Sequence, residues 1–155
     1  MKSFSEYFLQ NNYDAFKIDK VTNGNLLYFT MMYVYYKEDW KTNIPELNTV
    51  KYQTLAYKVM IAYRKNFYHT QTHAADVVQN LYMVIREKGI DKLCDIGPID
   101  FFTTLLSGAA HDMDHPGHNN FYEIKSASKL AILYNDASVL ENHHVASLFF
   151  LLENI

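Results

Sequence analysis

Between His73 and Lys88, the residues Ala74, Val77, Val78, Leu81, Val84 and Ile85 recur at the i, i+3, i+4, i+7 spacing that lays one apolar stripe along a helix. Such a stripe has to be buried against other elements, and the flanking sequence supplies them. Asn25–Trp40 is rich in Leu, Tyr and Met, and its length predicts a buried helix, because strands usually stop at about 5–6 residues. Asn48 or Thr49 is the expected N-cap of a helix through Leu55, Val59, Ala62 and Tyr63. Gly89 ends the amphipathic segment by tolerating the left-handed conformation that stops helices. Pro98 stands at a first helical position ahead of Phe102, Leu105, Leu106, Ala109 and Ala110, a segment apolar on more than one face. His115-Pro116-Gly117 breaks the helical pattern, His118–Tyr122 restarts it, and Asp136 is the expected N-cap of a last helix carrying Glu141, His143, His144 and Leu148. Little alternates as strands do. The expected fold is all-α, a single unit over residues 1–155.

With 155 residues the chain can bury one modest core and not two. A 49% hydrophobic content with only 5 Gly and 3 Pro excludes a disordered or collagen-like chain. The net charge of -3 gives no basic footprint, so no nucleic-acid partner is expected. Cys94 is the single cysteine, which excludes a scaffold built on internal disulfides. No apolar run approaches the roughly 18 residues of a membrane span, and the Met1 start lacks a signal-peptide profile. A soluble, cytoplasmic protein with no membrane span is the expectation.

All 7 histidines lie between His69 and His144. They fall in three clusters. In the first, His69 and His73 are four apart and share a face if the turn is helical, with Asp76 beside the apolar stripe. The second, His111-Asp112-Met113-Asp114-His115, follows the most apolar helix. A carboxylate there needs a cation beside it, and Asp112 with His111 can hold one ion while its second oxygen reaches another. The third is Glu141-Asn142-His143-His144, where either Glu141 or His144 faces inward. Taken singly, a histidine pair, a His-Asp dipeptide or the Met31-Met32 run is ordinary core or surface. Their conjunction on consecutive apolar helices is what points to a metal site.

The blocks Tyr68-His69-x-x-x-His73-Ala74-x-Asp76-Val77, His111-Asp112-x-x-His115-x-Gly117-x-x-Asn120, and Leu133-Tyr134-Asn135-Asp136 followed by Ser138-Val139-Leu140-Glu141-Asn142-His143-His144 closely resemble the class I 3′,5′-cyclic nucleotide phosphodiesterases. The resemblance is dense from about Tyr63 to Leu152. It implies part of a compact, multi-helix catalytic domain of the HD superfamily, with residues 1–67 as helical scaffold and 68–155 as metal-site helices. It further implies His73, His111 and Asp112 as ligands of a first zinc ion. Asp112 would bridge to a second ion, magnesium or manganese, that keeps several waters. His115 and Glu141 would hold water near the ions, and His69 would be the general acid with Tyr68 packed beside it. The implied reaction is hydrolysis of cyclic AMP, cyclic GMP or both to the 5′-monophosphate, with a metal-activated hydroxide attacking phosphorus and His69 protonating the leaving O3′.

Two departures accompany the resemblance. Thr70 stands where the family usually has Asn. The family's fourth zinc ligand, an Asp on a later helix, and its purine-gripping Gln lie beyond the equivalent of Ile155; Asp114 and Asp136 belong to positions the family fills differently. The expectation is therefore a chain truncated on its C-terminal side, binding zinc weakly and turning over little by itself. The alternatives are a catalytically incomplete binding or regulatory remnant, another HD-type metal phosphohydrolase, and a helical di-iron protein. The last needs paired Glu-x-x-His motifs, and Glu141-x-x-His144 supplies one.

Overall fold

A computed structural model describes residues 4–155. Among these the chain forms eleven α-helices, one π-helical turn and no strand, as the periodicity predicts. In chain order they are α1 (Phe4–Phe8), α2 (Ala15–Val21), α3 (Leu26–Lys37), α4 (Trp40–Asn43), α5 (Thr49–Ala62), α6 (Gln71–Tyr82), the π turn (Met83–Glu87), α7 (Ile90–Cys94), α8 (Pro98–Ala110), α9 (Asn120–Lys125), α10 (Lys129–Leu133) and α11 (Val139–Glu153). No helix among the described residues is long and apolar enough to cross a membrane.

Helix α6 is the central beam, packed on α3 along one side and α8 along another. It buries Ala74, Ala75, Val78 and Tyr82 against Leu26, Leu27 and Val34 of α3 and against Phe101, Leu105 and Ala109 of α8. The small residues let backbones come close. At Gly108 a Cβ would lie 2.5 Å from Cδ1 of Leu81, so the last turn of α8 rests on α6 where any side chain would oblige Leu81 to move. From the opposite side, the buried Tyr63 hydroxyl donates to the Ala109 carbonyl at 2.9 Å. Trp40 closes the core beneath, edge-on to Phe102 with ring centroids 5.0 Å apart.

Local chemistry accounts for the element ends. The Asn48 side chain accepts from the Val50 and Lys51 amides, each at 3.0 Å, and Pro98 opens α8 as expected. The Asn25–Trp40 segment is helical but divided, since Asp39 adopts a left-handed conformation and sets Trp40 in the separate α4. Val84 departs from the expected stripe and is half-exposed. The π turn is its cause: the wider turn rotates the following side chains, keeping Ile85 buried while carrying Val84 outward.

Asp136 is not the cap of α11. Its amide is bound to the Ala131 carbonyl at 2.9 Å, in the turn that closes α10. Ser138 occupies the N-cap position without a capping side-chain bond. The Leu140 amide is satisfied from another helix, by Oδ1 of Asn120 at 2.9 Å.

Candidate metal centre

The close α6–α8 contact carries His73 toward the C-terminal end of α8, where His111 is the cap residue and Asp112 follows. Nδ1 of His111 lies 2.8 Å from the Gly108 carbonyl oxygen. That nitrogen therefore donates, and Nε2 lies 3.1 Å from Oδ2 of Asp112, bearing hydrogen toward the carboxylate when the ring is charged and offering a lone pair to a cation when it is neutral. Nε2 of His73 is 3.6 Å from the same oxygen. With zinc–nitrogen and zinc–oxygen bonds of about 2.0–2.2 Å, one ion can span N···O separations up to about 4.2 Å. The three ligand atoms lie within 4.8 Å of one another, and two imidazoles with a carboxylate form a donor set of the right chemistry for zinc.

The other carboxylate oxygen of Asp112, Oδ1, faces a second group. It lies 3.9 Å from Nε2 of the buried His144, and His115 completes this second set of potential donors. His144 sits on α11 with Nδ1 2.7 Å from the Met113 carbonyl oxygen. In His115 the polarity is reversed, since Nδ1 accepts the Gly117 amide at 3.0 Å and leaves the ring proton on Nε2. His115 is thus oriented as a donor, suited to holding a water or an oxyanion.

Charge and burial keep most of these rings neutral. Burial pushes His73 below the ordinary histidine range, and nearby His111 adds to it. Burial likewise lowers His144, and it takes His115, with His69 alongside, down to about 4. His111 moves the other way, raised by its contact with the Asp112 carboxylate. Burial opposes ionisation of Asp112, but His111 and the surrounding histidines outweigh it and hold its pKa below the usual carboxylate value. Neutral imidazoles around an ionised carboxylate are the protonation states that metal binding requires.

His69 and His73 do not share a helical face. The chain from Tyr68 to Thr70 is not helical, and α6 begins only at Gln71. Instead the His69 ring stacks on His115, centroids 3.8 Å apart and planes within 6°. Tyr68, largely exposed, packs 5.1 Å from His69 and 4.6 Å from His73 between ring centroids. The stack is held from behind by Asn66, whose side-chain amide donates to the carbonyls of His69 at 3.2 Å and His115 at 2.8 Å.

Of the inward alternatives in the third cluster, His144 is buried and Glu141 is exposed. Both Glu141 oxygens accept from the Asn120 amide, at 3.2 and 3.0 Å, and that bond holds its carboxyl below the usual range. Glu141 lines a cavity of about 300 Å³ together with His111 and His144, so it stands at the rim of the cluster. Asp76 is not drawn into the cluster and accepts from Asn80. Asp114 points away, bound by Arg64 Nε at 2.6 Å and by His143 Nε2 at 2.8 Å. Asp136 is exposed in its turn. Neither aspartate stands in as a further ligand.

Sequence reasoning missed Arg64, Asn66 and Gly108, all of which shape the site without being ligand types. For Asn66 and Arg64 a weak signal exists, as polar residues just ahead of the first histidine block. For Gly108 the signal is a glycine inside an otherwise apolar helix.

Residues 68–155 match the family described as 3′5′-cyclic nucleotide phosphodiesterase. The probable 3′,5′-cyclic-AMP phosphodiesterase pde-4 of Caenorhabditis elegans is 36% identical over 142 residues, covering 91% of this chain and 20% of the relative. The dual specificity calcium/calmodulin-dependent 3′,5′-cyclic nucleotide phosphodiesterase 1B of Bos taurus is 40% identical over 90 residues, 58% of this chain and 16% of the relative. Among solved structures, the phosphodiesterase domain of the RhoPDE fusion protein from the choanoflagellate Salpingoeca rosetta superposes with a TM-score of 0.68 at 26% identity, over 94% of this chain and 43% of that one. The chain therefore spans a fifth or less of these two curated relatives and under half of the solved domain. With the family match running through all three histidine blocks, the chain belongs to the 3′,5′-cyclic nucleotide phosphodiesterases.

Proposed function

We propose that this chain carries the metal-binding and proton-donating part of a site that hydrolyses 3′,5′-cyclic nucleotides to 5′-monophosphates. The observation that carries this reading is the convergence of His73 and His111 on one oxygen of Asp112, with His69 stacked on His115 beside it. His73, His111 and Asp112 would hold a first ion, zinc, and the other oxygen of Asp112 would reach a second, magnesium or manganese. When bound, such ions supply positive charge against the phosphoryl oxygens and lower the pKa of water to near neutrality.

The protein's own groups do the rest. His115 presents Nε2–H toward the cluster and can orient a water or phosphoryl oxygen by donation. Glu141, ionised and fixed by Asn120, can accept from a water at the rim. His69 in its protonated form donates to the departing O3′, and Tyr68 and the His115 ring limit how far its imidazole can swing. A cytoplasmic setting goes with the free, exposed Cys94.

Metal analysis tests the ligand assignment. The chain should hold zinc, and His111→Ala or Asp112→Ala should lose it; unchanged zinc stoichiometry refutes the assignment. The proton donor is tested in protein of the relatives' full length. There His69→Ala should lower cyclic AMP or cyclic GMP hydrolysis by about 10²–10⁴-fold with zinc content intact. Equal turnover overturns its role.

A further inference from the structure

We propose that Asn66 is a positioning residue for the proton donor: its side-chain amide fixes the backbone from which His69 and His115 project, and so aims the His69 imidazole at the leaving oxygen. The inference rests on the reading of His69 given above and assigns the aim of that ring to a residue outside the histidine clusters. The His69 ring has no hydrogen bond of its own. Among the described residues neither of its nitrogens meets a donor or an acceptor. The ring is placed by stacking on His115 and by the edge of Tyr68, with centroids 3.8 and 5.1 Å away. Tyr68 is 60% exposed, so His115 is the firmer of these two surfaces, only 6% exposed and with its Nδ1 bound by the Gly117 amide at 3.0 Å. A ring held by stacking keeps its direction only while the two backbones that carry the rings stay in register.

Asn66 supplies that register. Its side-chain nitrogen donates once to each backbone, to the His69 carbonyl at 3.2 Å and to the His115 carbonyl at 2.8 Å, which uses both of its hydrogens. A glycine makes room for the other end of the amide. Gly117 has φ +91°, and a Cβ there would stand 3.1 Å from Oδ1 of Asn66. Asn66 is tied in its turn, since its backbone amide donates to the Arg64 carbonyl at 2.9 Å and the Arg64 guanidinium is anchored on Asp114. The bracket therefore has a fixed root, two bonds to different loops and a space kept clear for it. Proton transfer depends steeply on where the donor sits, so loosening the bracket should cost rate at the step that needs the proton and little elsewhere.

The test uses protein of the relatives' full length and two substrates that differ in one atom, the cyclic nucleotide and its analogue with sulfur in place of O3′. A thiolate departs without a proton, so the analogue reports every feature of the site except proton donation. Asn66→Ala should lower kcat for the cyclic nucleotide by about tenfold or more, with KM and zinc content close to the parent's, and should slow the sulfur analogue by no more than about twofold. Asn66→Ser, which keeps a single donor, should fall between parent and Asn66→Ala. His69→Ala should show the same contrast between substrates, and adding Asn66→Ala to it should cost nothing further on the cyclic nucleotide. Circular dichroism checks that each variant is folded, and Asn66→Ser carries the comparison if Asn66→Ala is not. Equal losses on the two substrates make Asn66 a general support of the fold and overturn the proposal, as does unchanged kcat on the cyclic nucleotide. Full activity of His69→Ala overturns the proton-donor reading itself, whatever Asn66→Ala does.

Discussion

Asp114 lies two residues from Asp112 and has the same chemistry, yet its side chain is committed elsewhere. It takes a left-handed backbone, φ +59°, and turns its carboxylate to Arg64 and His143. The Arg64 guanidinium beside it, aided by His143, holds its carboxyl below the usual carboxylate range. A carboxyl lowered in the folded state stabilises it above the unfolded pKa, and this is lost as pH falls through the folded value. Asn tolerates the left-handed conformation. Asp114→Asn should therefore destabilise by about 1 kcal/mol or less at neutral pH, because the pair is more than a third exposed. The difference from the parent should begin to shrink as pH falls below about 4 and vanish only below the lowered folded value, as read by urea midpoints across pH. The left-handed turn that sends Asp114 away from Asp112 is what the composition of the His111–His115 block does not show. That His73, His111 and Asp112 come together was an expectation of the resemblance, and their side chains do converge.

At the level of elements, the helices whose ends carry side-chain chemistry were the easiest to read. Asn48 caps α5 as its position suggests, and Asn48→Ala should cost about 0.5–2 kcal/mol in chemical denaturation with cooperativity unchanged. Pro98 opens α8 for an equally local reason. Boundaries set across the fold were not legible. The start of α11 is satisfied by Asn120 from α9, a partner no local pattern names, and Asp136, the better cap by type, is spent in closing α10. The π turn after Tyr82 was equally hidden, since it leaves the apolar spacing of the sequence untouched while changing which side chain that spacing buries.

For the whole molecule, the density of histidine in one small volume sets the pH response. Burial lowers His73, His144 and His115 relative to the unfolded chain, His115 from 6.5 to about 4. For these groups the unfolded state binds more protons in that window, so stability rises with pH. His111 is raised and works the other way over its own range. With three rings against one, the metal-free chain should lose thermal stability as pH falls from about 6.5 to 4. Added zinc should restore it at the upper end by binding only the folded state. Melting curves with and without chelator check this, and a metal-free midpoint that stays flat or rises over that window contradicts it.

The Asn66 amide has a mechanical consequence. It grips the carbonyls of His69 and His115 together, so the loop that enters α6 and the loop that leaves α8 are fastened as one body although they lie far apart in sequence. Lifting either loop breaks one of these two bonds. Any opening of this face is then a concerted event, in which the stacked pair of rings parts only when both loops let go and backbone protection from exchange fades in the two segments together.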